Sequence, residues 1–139
     1  MSSRKSVMEI QVRYSDLDTL GHVNNSVYQN YFEMGGRIMF LESAGFPPHE
    51  SDRHSFVVAH MEVDYIRPVH LGGDRITLET ELETIGNTSL TFRHTLYRDG
   101  TEVCARARAV LVYRENGQKA RVPDALRALL REGHIGTTT

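Results

Sequence analysis

From Phe56 to Tyr113 the chain runs through four stretches of alternating apolar and polar residues, parted by turn residues. A period of two puts successive side chains on opposite faces of a strand. Phe56 to Pro68 places Val57, Ala59, Met61, Val63 and Tyr65 on one face. Arg75 to Ile85 sets Ile76, Leu78, Thr80 and Leu82 against Thr77, Glu79, Glu81 and Glu83. Thr88 to Arg98 sets Leu90, Phe92, His94 and Leu96 against Thr91, Arg93, Thr95 and Tyr97. Glu102 to Tyr113 sets Val103, Ala105, Ala107, Ala109 and Leu111 against Cys104, Arg106, Arg108 and Val110. Gly72-Gly73, Gly86-Asn87 and Asp99-Gly100 join them, and turns this short connect antiparallel neighbours.

The stretch before these strands has a different period. From Val27 to Ser43, Tyr28, Tyr31, Phe32, Gly35, Ile38, Met39 and Glu42 recur at helical spacing, with Met34, Phe40 and Leu41 off that stripe. A helix apolar around most of its girth is a buried one. Gly35-Gly36 costs roughly 1 kcal/mol per glycine against alanine, so the pair predicts close approach of helix to sheet. Asn24, Asn25 and Ser26 are candidate caps, and Gly45 with Pro47-Pro48 ends the helix. Ahead of it, Met8, Ile10, Val12 and Tyr14 alternate with Glu9, Gln11 and Arg13 as a first strand. Pro123 to Arg131 reads as a short C-terminal helix. Residues 1 to 6 and the tail from Gly136 to Thr139 are expected to be frayed or disordered.

The sum is an α+β fold: a long central helix wrapped by a five-stranded antiparallel sheet, with a short C-terminal helix. The 139 residues form one domain, 1–139, by the length prior. A single sheet on one helix leaves an edge to cover, which predicts a homodimer or homotetramer. The net charge of −2, with both signs scattered, argues against a nucleic-acid partner. No run approaches a membrane span, no apolar run follows the basic N-terminal residues, and Cys104 is the single cysteine. The expected location is cytoplasmic.

The chemistry-bearing segment lies between first strand and helix. Val12-Arg-Tyr-Ser-Asp-Leu-Asp-Thr-Leu-Gly-His-Val-Asn-Asn-Ser-Val-Tyr28, followed by Tyr31-Phe32-Glu33 and Gly36-Arg37, resembles the signature of the hotdog-fold 4-hydroxybenzoyl-CoA thioesterase family. Met61-Glu-Val-Asp-Tyr-Ile-Arg-Pro-Val69 resembles it too. The family has a small non-glycine residue where Gly35 or Gly36 stands, a local departure. The resemblance implies a hotdog fold and an acyl-CoA thioesterase. It implies that Asp18 is the nucleophile or the base for water, and that the coenzyme A moiety lies along a subunit interface.

Thioester hydrolysis needs such a group and donors aimed at the oxygen that gains charge. Asn25, at the helix start, offers a backbone N–H in the positive field of the helix N-terminus. Gly21 allows the sharp turn between them. Asp16 reads as structural, bonding loop amides or pairing with Arg13. His22 is divided between lining the site and ordering the loop, and Asn24 between cap and site wall. The candidate acyl walls are Tyr28, Tyr31, Val58, Ala59 and His60. The strand arginines Arg67, Arg75, Arg93, Arg106 and Arg108 are all available to the coenzyme A phosphates, and Arg67 is counted among the substrate-binding candidates. The alternative to each is a bland one: a cap aspartate, a packed histidine, a solvated arginine.

No His-Glu-x-x-His motif or cysteine pair suggests a metal site, and the reaction calls for no cofactor. Cys104 reads as a packing thiol. No Gly-x-Ser-x-Gly elbow supports a serine hydrolase. Two rivals stand: a hydroxyacyl-thioester dehydratase on the same fold, and a non-catalytic acyl-thioester-binding dimer.

Overall fold

The computed structural model describes residues 5–45, 54–72, 75–132 and 137–138. Strand β1 (Lys5–Ile10) leads through a 3-10 turn (Tyr14–Asp16) to the central helix. That helix has three segments end to end: α1 (Val27–Phe32), a π-helical segment (Glu33–Ile38) and α2 (Met39–Ser43). Strands β2 (His54–Tyr65), β3 (Ile76–Ile85), β4 (Ser89–Arg98) and β5 (Glu102–Glu115) follow. The two-residue β6 (Gln118–Lys119), α3 (Asp124–Glu132) and the two-residue β7 (Thr137–Thr138) close the chain.

The sheet order is β2-β5-β4-β3-β1-β7, with β6 on β5. All pairings among β1 to β6 are antiparallel, and only β7 runs parallel to β1. Among the described residues β2 is therefore a free edge of the single chain. Among the same residues no helix is long and apolar enough to cross a membrane.

Three details depart from the alternation read in the sequence. First, β1 begins at Lys5 and stops at Ile10, so Tyr14 leaves the strand face for the turn and is 81% exposed. Thr137–Thr138 pairs with Val7 and Met8 in place of fraying; the rest of the tail lies outside the described residues. Second, the register slips between Val58 and His60. Phe56 and Val58 lie opposite the buried Tyr113 and Leu111, whereas Met61, Val63 and Tyr65 lie opposite buried alanines. One extra residue reverses a face, so Val57 falls outside the row that Met61 continues. Third, a slip between Leu96 and Tyr97 carries Cys104 into the core, fully buried beside Ala105, rather than facing away from the alanine stripe.

The apolar core has two parts under the two ends of the central helix. One gathers Val23, Tyr28, Tyr31, Phe32, Leu78, Leu96 and Cys104. The other gathers Phe40, Leu41, Leu90, Phe92, Tyr113, Leu126 and Leu130. Between them the helix comes down onto the sheet. A Cβ on Gly36 would lie 2.7 Å from Thr80 Oγ1 and from His94 Cε1, and one on Gly35 2.7 Å from Ile10 Cδ1. Close approach thus demands a glycine at Gly36, whereas at Gly35 the contact is the far end of the Ile10 side chain, which can give way. The π-helical segment spans this point, where one wider turn lets the backbone pass the His94 ring.

Candidate active site

The site grows from the loop between the 3-10 turn and α1. Asp16 anchors it. Asp16 is 3% exposed, and its Oδ2 accepts the Arg13 N–H at 2.9 Å and the Tyr31 hydroxyl at 2.7 Å. Arg13 adds an ion pair at 3.6 Å. The Asp16 carbonyl then takes the Asn24 N–H at 2.9 Å, bracing the loop's far end. Burial and the Asp16 carboxylate push the Tyr31 phenol well up, so it remains a donor. The sequence points to Tyr31 as an acyl wall, yet here it holds Asp16; only the fold shows that partnership, 15 residues apart in sequence.

Asp18 heads a tight turn. Its Oδ1 accepts the Leu20 N–H at 2.9 Å and the His22 N–H at 3.4 Å. Its own N–H donates to the His22 carbonyl at 2.9 Å, and Gly21, at φ +82°, closes the turn. Asp18 Oδ2 has no partner among the described residues. His22 bridges to His70 by backbone pairing, with the two rings 4.9 Å apart edge to face, and Val23 N–H donates to the Val69 carbonyl at 2.8 Å. The loop is thus pinned to the segment after β2.

The helix start departs from ordinary capping. Ser26 is the cap residue but its side chain does not cap. Asn24 serves instead: its Oδ1 accepts both the N–H and the hydroxyl of Ser26 at 2.9 Å, and its carbonyl accepts the Val27 N–H at 2.9 Å. The Asn25 N–H has no acceptor among the described residues. The Asn25 carbonyl accepts the Tyr65 hydroxyl at 3.2 Å, which ties the helix start to the end of β2.

These elements enclose an open cleft of about 370 Å³. Asp18, His22, Asn24, Asn25, Tyr28 and Arg67 all line it. Tyr28 is buried, with its phenol pushed up to about 12 by desolvation first and then by Cys104 and Tyr65. Arg67 donates to the Val103 carbonyl at 2.6 Å and stands 3.9 Å from Glu102, so the guanidinium is fixed at the cleft rim. The sequence reading missed Tyr65 as a cleft residue; its place in the Tyr-x-Arg-Pro run with Arg67 was the available signal. Val58, Ala59 and His60 lie elsewhere, exposed on the edge strand around the slip, and His60 pairs with Glu62 at 3.1 Å. Three of the other strand arginines face carboxylate partners, Arg75 with Glu9 and Arg93 and Arg108 with Glu83. Among the described residues no cluster of three or more His, Cys, Asp or Glu could hold a metal ion.

Residues 12–130 match the thioesterase-like superfamily. A thioesterase of Thermus thermophilus, solved with coenzyme A and zinc, is 38% identical, with a TM-score of 0.80 over 90% of this chain and 91% of that one. A hypothetical protein of the same organism is 30% identical, with a TM-score of 0.85 over 93% and 99%. The chloroplastic acyl-acyl carrier protein thioesterase ATL3 of Arabidopsis thaliana is 27% identical over 125 residues, 87% of this chain. The chain spans about 65% of that relative's length. The chain belongs to the thioesterase-like superfamily.

Proposed function

We propose that the protein hydrolyses acyl-coenzyme A thioesters to the free acid and coenzyme A, with Asp18 as the reacting carboxylate. The observation that carries this is a pair of free groups at one cleft. Among the described residues Asp18 Oδ2 meets no partner while Oδ1 is held by two amides, and the Asn25 N–H meets no acceptor at the helix start. The first is a positioned base or nucleophile; the second is a donor in the positive end of a helix.

In the base route, Asp18 takes a proton from water as the water oxygen bonds to the thioester carbon. Charge builds on the carbonyl oxygen, where the Asn25 N–H donates. The tetrahedral species collapses, the C–S bond breaks, and the thiolate leaves with the proton. In the nucleophile route, Asp18 Oδ2 bonds to the carbon, the thiolate leaves, and water opens the resulting anhydride. Both routes give the same products and call for no cofactor. His22 and Asn24 hold the loop and the helix start, Tyr28 would form an apolar wall, and Arg67 at the cleft rim would meet a phosphate.

Self-association through the free edge of β2 as a homodimer or homotetramer is part of this proposal. It would bring Val58, Ala59 and His60 against a second copy, where the acyl chain could meet them. The carrier is proposed as coenzyme A because a similar structure contains it; the plant relative's carrier-protein substrate makes acyl-carrier protein the comparison to run.

The test is Asp18→Asn assayed by free-thiol release across an acyl-CoA panel. Turnover should fall by about 10²–10⁴-fold while circular dichroism and acyl-CoA binding are kept. Unchanged turnover removes Asp18 from the mechanism. Binding by the wild type without thiol release points to the non-catalytic reading, and a change in enoyl absorbance points to the dehydratase.

A further inference from the structure

The core holds a cation that the reaction at Asp18 does not use. Arg37, in the π-helical segment, is 4% exposed. Its Nη1 lies 3.3 Å from His94 Nε2 and 3.9 Å from Met61 Sδ. His94 is fully buried and held neutral, its pKa pushed down to about 3 by desolvation first and by Arg37 second. With Nε2 accepting from Arg37, His94 Nδ1 carries the proton and donates to Thr80 Oγ1 at 2.9 Å. Among the described residues no carboxylate comes within ion-pair range of Arg37. Glu33, one turn earlier and exposed, acts on it only from beyond that range. A guanidinium offers five N–H groups, and among the described residues only a neutral imidazole and a thioether meet them, both at Nη1. An unbalanced buried charge is costly, and an anion is what offsets it.

A row of side chains on one strand joins the cleft to this cation. Tyr65 lines the cleft, and Met61 touches Arg37. Tyr65, Val63 and Met61 share one face of β2, past the register slip, and lie opposite Ala105, Ala107 and Ala109 of β5. Val63 and Met61 are only half-buried. The row is flanked by small side chains, and four residues of strand cover about 13 Å. We infer that the acyl group lies along this row with an anionic tip on Arg37, so that the preferred substrate is an ω-carboxyacyl thioester. The inference rests on the proposed thioesterase reading and adds its substrate class.

The test compares suberoyl- and sebacoyl-CoA with octanoyl- and decanoyl-CoA, reading kcat/KM by thiol release. The wild type should prefer the carboxylate-tipped substrate of equal length by roughly tenfold to a hundredfold. Arg37→Met should lose or reverse that preference, and Arg37→Lys should keep part of it. Thr80→Val disturbs the same network without touching the guanidinium and should leave the ratio unchanged. Equal or better use of the plain acyl groups by the wild type overturns the inference, even if Arg37→Met fails to fold. So does an unchanged ratio in Arg37→Met. No thiol release from any substrate is instead a failure of the thioesterase reading. In that case, calorimetric binding of the two substrate types to wild type and Arg37→Met decides the Arg37 contact on the same ratio.

Discussion

Replacing Gly36 by alanine should destabilise the protein, although alanine is the better helix residue. Intrinsic propensity favours the change by roughly 1 kcal/mol. The packing opposes it. The new methyl would stand 2.7 Å from Thr80 Oγ1, 2.7 Å from His94 Cε1 and 2.8 Å from His94 Nδ1. Neither neighbour can give way freely, because both are fully buried and bonded to each other at 2.9 Å. Overpacking of this kind costs about 1–3 kcal/mol, and loosening the His94–Thr80 bond adds about 1 kcal/mol. The net expectation is a loss of about 1–3 kcal/mol, read as the midpoint shift in urea denaturation at constant m-value. Gly35→Ala is the internal control. Its methyl meets Ile10 Cδ1 at 2.7 Å, the far end of a flexible chain, and should cost much less. Thr80→Ala introduced first should remove part of the Gly36→Ala cost, because the two sites share a contact. A Gly36→Ala protein as stable as the wild type, or less affected than Gly35→Ala, would refute the close-packing account of this helix.

Two further outcomes follow from the same polar contacts. Tyr31→Phe removes the 2.7 Å hydrogen bond to the buried Asp16 carboxylate and should cost about 1.5–3 kcal/mol by chemical denaturation. Because Asp16 braces the loop that carries Asp18, thiol-release activity should fall with it; full activity and stability would show that the loop stands without Tyr31. His94 predicts an acid-side loss of stability. Its folded pKa of about 3 lies below its ordinary 6.5, so the unfolded chain binds the extra proton and stability declines as pH falls from about 6.5 towards 3. By pH 5 this amounts to about 2 kcal/mol, and His94→Gln should flatten that part of the profile. A profile unchanged by His94→Gln would place the acid sensitivity elsewhere.

Much of the architecture is legible in the sequence because two periodicities state it directly. Leu90, Phe92, His94 and Leu96 fall on one face by a period of two, and all four are fully buried. The Asp99-Gly100 dipeptide signals a turn, and both residues take the positive φ that such a turn requires. The helix bounds are legible from Asn24-Asn25-Ser26 and Gly45. What periodicity misreads are the register slips near Ala59 and Cys104, since one added residue leaves composition unchanged while reversing every later side chain. The cap escapes the sequence for a related reason. Asn24 and Ser26 are both good cap types, and only the backbone path shows which oxygen meets which amide.

By itself the sequence determined the element order, the antiparallel sheet on a buried helix, and the loop in which Asp18 and Asn25 stand. These are local properties, written in spacing and turn chemistry, and a motif marks the loop. Tertiary structure alone decided who meets whom across the fold. It set Tyr31 on Asp16, Tyr65 against the helix start, and Arg37 beside His94, contacts spanning 15, 40 and 57 residues of sequence. No local signal encodes such pairs, because each depends on the strand register and on where a glycine lets the helix descend. That no described residue meets Asp18 Oδ2 is a product of both. Its aspartate was visible in the motif, but which oxygen the loop amides occupy was settled only by the folded turn.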